Sequence, residues 1–511
     1  MTDDIPSLLS RLGVRPGLSI DGRPAEGRAG TTAIVNPATG MEIAVVSLAG
    51  PDDFRLAIDG AQLAFERWRR EPAAGRGEVL KRAAALLLQR RQEVARLLTL
   101  EQGKALAQAL AEVDYAASFF QWFGEEARRP CGRLQPHPQR GREYRVKLVP
   151  AGVAGLVTPW NFPLAQGAKK IAAALAAGCT AVWKPSELTP LVALALGSLL
   201  QEAGLPEGVL QILPALGPVA GEALTADARV RVLSLTGSTA TGRTLVKAAA
   251  KHLPRLSLEL GGNAPFIILP DANLDEVAPE LVRLKLLCSG QVCVTANRVF
   301  MPVSLEKALI EKLAPLWGAL RVGNGLTEGV DVGPLIHAKA CERVRGLVEG
   351  AWGAGAELVA ENRGFEADPA LAKGSFYPPQ ILRGVRDDMP LAREEVFGPV
   401  MALLGYSDLS EAVSRANATA AGLGLRLRDG PLARQRRRGG ARGRYRGRQR
   451  MAPAAGGDPL RGNEGERPGL GGRRGGAARV LRAEGRGHPE PVHAGAAQAR
   501  AALRFSANGE A

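Results

Sequence analysis

The chain has 511 residues, 46% of them hydrophobic, enough for two or three domains with a substantial core. No run of 18 apolar residues occurs, which argues against a membrane span, and the acidic start Met-Thr-Asp-Asp-Ile lacks the basic and apolar regions of a secretory leader. The net charge of +15 suggests a nucleic-acid partner, but residues 424–511 hold 20 Arg, no Lys and 7 acidic residues, so the body of the chain is near neutral. Five cysteines (131, 179, 288, 293, 341) are an odd number without metal-ligand spacing. They predict no disulfide framework, no metal and a reducing, cytoplasmic setting.

In chain order, residues 51–128 read as helical. Asp52, Asp53, Leu56, Ala57, Ala61 and Phe65 share one periodic stripe, and 80–98 gives a long amphipathic helix. Residues 132–147 are polar and Pro-rich, then charged, and predict an extended excursion from the core. From residue 149 strands alternate with helices: strand 153–158, helix 165–177, strand 180–183, helix 191–203, strands 208–212 and 230–235. After Glu259 the alternation resumes with strand 265–269, helix 274–287, strand 298–301 and helix 304–317. This pattern predicts two α/β domains with parallel sheets, joined near residue 256.

Five motifs carry chemistry. Cys288-Ser-Gly-Gln-Val-Cys293 lies downstream of Glu259-Leu-Gly-Gly-Asn-Ala-Pro265. A thiol and a carboxylate in Gly-flanked settings suit a route that builds a thioester and then hydrolyses it. Thr158-Pro-Trp-Asn-Phe-Pro163 follows a strand and precedes a helix, so Asn161 is either a helix cap or an oxyanion donor. Trp183-Lys-Pro-Ser-Glu187 sits at a strand end, where Lys184 and Glu187 could hold ribose hydroxyls. Leu235-Thr-Gly-Ser-Thr-Ala-Thr-Gly242 opens a helix and reads as a cap or a phosphate loop, although it is not a G-x-G-x-x-G fingerprint. The fifth is Arg393-Glu-Glu-Val-Phe-Gly-Pro-Val400.

Taken together over residues 36–423, these motifs resemble the aldehyde dehydrogenase superfamily. The resemblance implies a Rossmann-like cofactor domain (1–131 and 148–255), an oligomerisation arm (132–147) and a catalytic domain (256–423). It implies Cys293 as nucleophile, Glu259 as general base and Asn161 as oxyanion donor. Cofactor contacts then fall on Thr158, Pro159, Trp160, Lys184, Ser186, Glu187, Gly237, Ser238, Gly242, Leu260, Glu395 and Phe397. Glu187 favours NAD over NADP, because a carboxylate repels a 2′-phosphate, with dual use left open. Cys288 reads as a buried packing thiol before a redox partner of Cys293. Asp331-Val-Gly-Pro-Leu-Ile336 and Gly374-Ser-Phe-Tyr-Pro-Pro379 match family landmarks of structural kind.

The stretches Thr99–Ala105 and Asp114–Glu126 look most like the succinate-semialdehyde dehydrogenase branch. That branch anchors a substrate carboxylate with arginines. Here Lys169 keeps one cation without the bidentate fork, and Leu287 replaces another. Succinic semialdehyde is the first expectation, and another small aldehyde the alternative. An inactive relative whose basic tail binds nucleic acid is a reading of a different class, and acylation of coenzyme A is opposed by Glu259. The Arg-rich tail itself reads as out of frame. Shifted by one base, Arg444–Gln449 back-translates to Gly-Ile-Val-Gly-Val-Asn and Pro459–Gly469 to Pro-Phe-Gly-Gly-Met-Lys-Glu-Ser-Gly-Leu-Gly, both family signatures. A frameshift near residues 422–424 predicts an open sheet edge and weak activity or aggregation of the chain as written. A homodimer or homotetramer is expected only with the tail restored.

Overall fold

The computed structural model describes residues 5–423 and 426–428. After a short helix (Ile5–Arg11) come β1 (Leu18–Ile20), β2 (Arg23–Ala25), β3 (Thr31–Val35) and β4 (Glu42–Ser47). A run of helices leads to the hairpin β5 (Arg133–Pro136) and β6 (Glu143–Val146). Then β7 (Val153–Val157), β8 (Thr180–Lys184), β9 (Leu210–Ile212), β10 (Val230–Thr236) and β11 (Arg255–Glu259) alternate with helices. They build a sheet in the order β11-β10-β7-β8-β9-β1-β2, in which β7 to β11 run parallel. A second sheet takes β12 (Pro265–Ile268), β13 (Arg298–Pro302), β14 (Glu357–Glu361), β15 (Gln380–Arg383), β16 (Val400–Tyr406) and β17 (Arg426–Arg428). Its order is β14-β15-β16-β13-β12-β17, with only β14 antiparallel to its neighbour.

Parallel strands bury both faces, and the sequence obliges with runs such as Thr-Ala-Val-Trp-Lys in β8, where every residue is buried. In the first sheet the chain steps outward from β7 to β8 and β9, then returns to lay β10 on the other side of β7. That reversal opens a crevice at the carboxyl ends of the strands, where open α/β sheets bind ligands. Register aligns Val157 with Lys184 and Thr236 with Glu259, so the motifs that follow these residues share one rim.

The helical stretch resolves into Pro51–Trp68, Ala73–Gln89, Arg91–Gln102 and Leu106–Glu126. The single helix expected over 80–98 is interrupted at Arg90, which has left the helical region at φ −94°, ψ 15°. Its guanidinium donates to the Arg11 carbonyl, and the bend turns Leu80, Leu87, Val94 and Leu98 into one core. Asp53 is buried as its stripe implied, for a polar reason: its carboxylate accepts from the amides of Gly50 and Arg28, capping the helix that starts at Pro51.

Residues 132–147 leave the core as a two-stranded, exposed hairpin, in keeping with the expected extended excursion. The first sheet ends at Glu259 and the second begins at Pro265, a few residues beyond the expected junction. The open edge expected after residue 423 is corrected in part, because β17 pairs in parallel with β12. The rest of the Arg-rich stretch, and with it the reading-frame expectation, lies outside the described residues. Among the described residues no helix is long and apolar enough to cross a membrane, and no cluster of three His, Cys, Asp or Glu could hold a metal ion.

Candidate active site

The helix Leu274–Leu286 delivers the candidate nucleophile through three successive residues with positive φ: Cys288 (51°), Ser289 (55°) and Gly290 (79°). Left-handed backbone at Cys288 and Ser289 costs energy and must be held from outside. The Cys288 amide donates to Gln108 Oε1 (2.7 Å), the Gln102 amide donates to Cys288 Sγ (3.2 Å), and Ser289 Oγ donates to the Gly333 carbonyl (2.8 Å). At Gly290 a Cβ would lie 2.1 Å from the Gly398 carbonyl oxygen, so glycine alone fits. Cys288 is fully packed and its thiol donates to the Asn161 carbonyl (3.4 Å), the packing role expected of it.

Three candidate residues converge. Asn161, buried at the amino end of the helix Pro163–Ala176, donates through Nδ2 to the Gln291 carbonyl (2.8 Å), two residues before Cys293. Its second N–H remains for an oxyanion. The loop that leaves Glu259 passes so close to the nucleophile that a Cβ on Gly262 would lie 3.0 Å from the Cys293 carbonyl oxygen. Gln291 fixes this turn from both ends, donating to the Cys288 carbonyl and accepting from the Ile336 amide. Leu335 in turn donates to Ser375, so the two landmark segments act as buttresses.

Burial pushes the Cys293 thiol up to about 11; the carboxylates of Glu395 and Glu259 act in the same sense and the Lys169 ammonium against it. The resting thiol is therefore protonated at neutral pH. Alkylation of the Cys293 peptide by iodoacetamide, followed by mass spectrometry, is expected to accelerate about tenfold per pH unit between pH 7 and 10. A rate that is already flat at pH 7 would contradict this.

Lys169 lies within electrostatic reach of both Cys293 and Glu259, and burial pulls its ammonium down from the usual lysine range. Its neighbour Lys170 is more deeply buried, donates to Ser234 Oγ (2.7 Å) and is pulled down to about 7 by burial, against the pull of Glu259.

A second ring of residues went unread in the sequence. Lys104 and Glu112 form a wholly buried ion pair. Lys104 Nζ also donates to the Asn161 carbonyl (2.7 Å) and lies over the Phe162 ring. Glu112 accepts the amides of Leu164 and Ala165 (3.1 Å each), capping the helix that follows Asn161. Glu101 accepts the amides of Leu191 and Val192, and burial pushes its carboxyl up to about 8. The stretch 99–105, whose sequence resembles the succinate-semialdehyde dehydrogenase branch, is also a scaffold under Asn161 and Cys288. Its one sequence signal was charge inside apolar helical periodicity.

The expected cofactor residues lie at or just beyond the ends of β7, β8, β10 and β11 and in the segment 393–400. Lys184 pairs with Glu187 (2.7 Å) at the end of β8, and Ser186 accepts the Leu188 amide. Thr158 accepts from the Trp183 indole (2.9 Å), which locks the two strand ends. Ser238 caps the helix Thr239–Ala249, accepting the Thr241 amide, so the cap reading holds and any phosphate would meet that helix's free amides. The Gly237 amide is spent on the Glu259 carbonyl (3.0 Å), leaving only its bare Cα to a ligand. A Cβ on Gly242 would lie 2.6 Å from Leu260 Cδ2, so this glycine lets Leu260 pack against the helix. Pro159 precedes Trp160, whose ring meets Phe397 edge-on at 5.5 Å. Phe397 itself is held at φ 51°. Glu395 Oε1 is buried without a partner among the described residues, an acceptor suited to a sugar hydroxyl. These groups fit a dinucleotide.

Comparisons with known proteins identify the family. The profile of the Aldehyde dehydrogenase family matches residues 25–427. A glutarate-semialdehyde dehydrogenase of Pseudomonas putida is 42% identical over 394 residues, 77% of this chain and 80% of its own length. A succinate-semialdehyde dehydrogenase [NADP(+)] of Escherichia coli is 40% identical over 390 residues, 76% of this chain and 80% of its own. The solved NAD+ complex of an aldehyde dehydrogenase from Bacillus cereus superposes with a TM-score of 0.80 at 31% identity, covering 84% of this chain and 88% of that one. With the profile spanning most of the chain and relatives at this identity, the protein belongs to the aldehyde dehydrogenase family.

Proposed function

We propose that the protein oxidises a small aldehyde bearing a distal carboxylate, succinic semialdehyde first, to the acid with NAD(P). The observation that carries this reading is the convergence of Cys293, Asn161 and the Glu259 loop, with the Lys169 cation in reach of both reacting groups. Residues 1–131 and 148–255 would hold the cofactor and 256–423 the nucleophile. The exposed hairpin 132–147, with Leu134 and Tyr144 open to solvent, would serve an oligomer. The setting would be cytoplasmic.

Cys293 gives up its proton to solvent and Sγ bonds to the aldehyde carbon. The free Asn161 N–H and the Cys293 amide stabilise the resulting oxyanion. When bound, the nicotinamide supplies the positive charge that favours the thiolate and accepts the hydride from the substrate carbon. Cys293 is left as a thioester; Glu259 takes a proton from water, whose oxygen adds to the acyl carbon and frees the acid and the thiol. The Lys184–Glu187 pair half-neutralises the carboxylate that would repel a 2′-phosphate, which suits NAD with NADP admitted.

The test is formation of reduced cofactor with succinic semialdehyde, glutaric semialdehyde and an uncharged aldehyde of similar length. Lys169→Ala is expected to raise KM for the two semialdehydes by about tenfold or more, the worth of one charged hydrogen bond. KM for the uncharged aldehyde should move less than twofold. An equal change for all three would remove Lys169 from substrate recognition.

A further inference from the structure

Lys285 occupies the penultimate position of the helix Leu274–Leu286 and is wholly buried. Its Nζ has no hydrogen-bond partner among the described residues. An ammonium taken out of water without a partner is destabilising, and an apolar side chain of similar length would fit the same space more favourably. The opposing charge in its surroundings is Glu395, whose own Oε1 is buried and unpartnered. Burial drives both groups towards their neutral forms; at Glu395 the Gly262 amide, the solvent-exposed Arg343 and the buried Lys285 oppose it, in that order, and at Lys285 the Glu395 charge does.

Their placement is rigid. Thr295 Oγ1 donates to the Leu284 carbonyl (3.0 Å), Asn297 Nδ2 donates to the Glu394 carbonyl (2.9 Å), and the Val396 amide donates to Asn297 Oδ1 (3.1 Å). Residues 295–297 therefore splice the end of the Lys285 helix to the turn that carries Glu395. The other cation near this turn, Arg343, is spent on main-chain carbonyls at 395 and 396 and on the Glu394 carboxylate.

We propose that Lys285 is a positioning residue for the oxidation: its ammonium supplies the buried counter-charge that fixes the Glu395 carboxylate as acceptor for the nicotinamide-ribose hydroxyls. A carboxylate fixed in this way would hold the bound cofactor steady for the oxidation. This rests on the cofactor role proposed for Glu395, and its test separates the two.

Lys285→Met in the full chain is expected to keep or raise the thermal midpoint, because it removes an unpartnered charge. KM for NAD should rise about tenfold and kcat should fall. Cofactor-free hydrolysis of p-nitrophenyl acetate, which needs Cys293, Asn161 and Glu259 but not Glu395, should stay within twofold. The double variant with Glu395→Gln should be no worse than Glu395→Gln alone. Unchanged NAD kinetics in Lys285→Met, or additive losses in the double variant, would overturn the proposal while leaving the cofactor role of Glu395 intact. If the parent chain shows neither NAD turnover nor an NAD-dependent rise in melting temperature, the role of Glu395 fails and Lys285 falls with it. Lys285→Gln, which keeps length and polarity, is read in the same way should Lys285→Met not fold.

Discussion

Glu259→Gln is expected to release one equivalent of reduced cofactor per polypeptide and then to stall. The first half of the reaction uses the Cys293 thiol, the Asn161 amide and the cofactor crevice, all of which an isosteric amide at 259 leaves in place. The second half needs a base for water, and glutamine is none. Removing a positioned base costs about 10²–10⁴ in rate, so steady-state turnover should fall by about three orders of magnitude while the stopped-flow burst survives. The charge change also acts on the thiol. Glu259 is one of two carboxylates that hold the Cys293 pKa up, so neutralising it should shift the alkylation profile of Cys293 to lower pH. Cys293→Ser should show neither burst nor turnover, because a serine hydroxyl is far harder to ionise than even this raised thiol and is a weaker nucleophile. Unimpaired steady-state turnover in Glu259→Gln would assign the base elsewhere, with Lys170, buried and pulled down to about 7, the first group to examine.

The candidate reactive residues could be singled out in the chain because they sit in motifs that backbone geometry forces to be local. A glycine between Ser289 and Gln291, a turn at the end of β7 and a cap at the end of β10 each need particular residues in consecutive order. The alternation of strands and helices was legible for the same reason, since one period of apolar residues sets each element. What supports the site was not. Lys104, Glu112, Gln102 and Gln108 come from two helices and a connecting loop, and they act on residues more than 50 positions away. The one local signal, charge inside apolar helical periodicity, does not say which distant residues these side chains hold. The break at Arg90 was missed because apolar periodicity continues through it, and the turn is set by the distant Arg11 carbonyl. The stretch 99–105 was legible as a resemblance to one branch of the family; only its contacts reveal that it also holds Asn161.

That scaffold yields the largest stability effect expected in the molecule. Lys104 and Glu112 are both shut off from solvent, so removing either partner strands a charge, at a cost of about 3–5 kcal/mol. The two losses are unequal in kind. In Lys104→Met the Glu112 carboxylate keeps the amides of Leu164 and Ala165, which disperse part of its charge. In Glu112→Ala the ammonium loses its counter-ion and both amides lose their acceptor, so this variant should melt at the lower temperature. The double variant Lys104→Met with Glu112→Gln carries no buried charge and keeps an acceptor oxygen for the helix amides. Most of the thermal stability should return, because a neutral pair avoids the desolvation that a lone ion suffers. Activity should not return with it. Methionine cannot donate to the Asn161 carbonyl, which Lys104 now holds at 2.7 Å, so the oxyanion donor loses its anchor. Turnover at a temperature where the double variant is folded should remain about tenfold below the parent, the scale of one lost charged hydrogen bond. Recovery of both stability and turnover would mean that the pair only holds the fold together. Recovery of stability alone would show that its ammonium also aims Asn161.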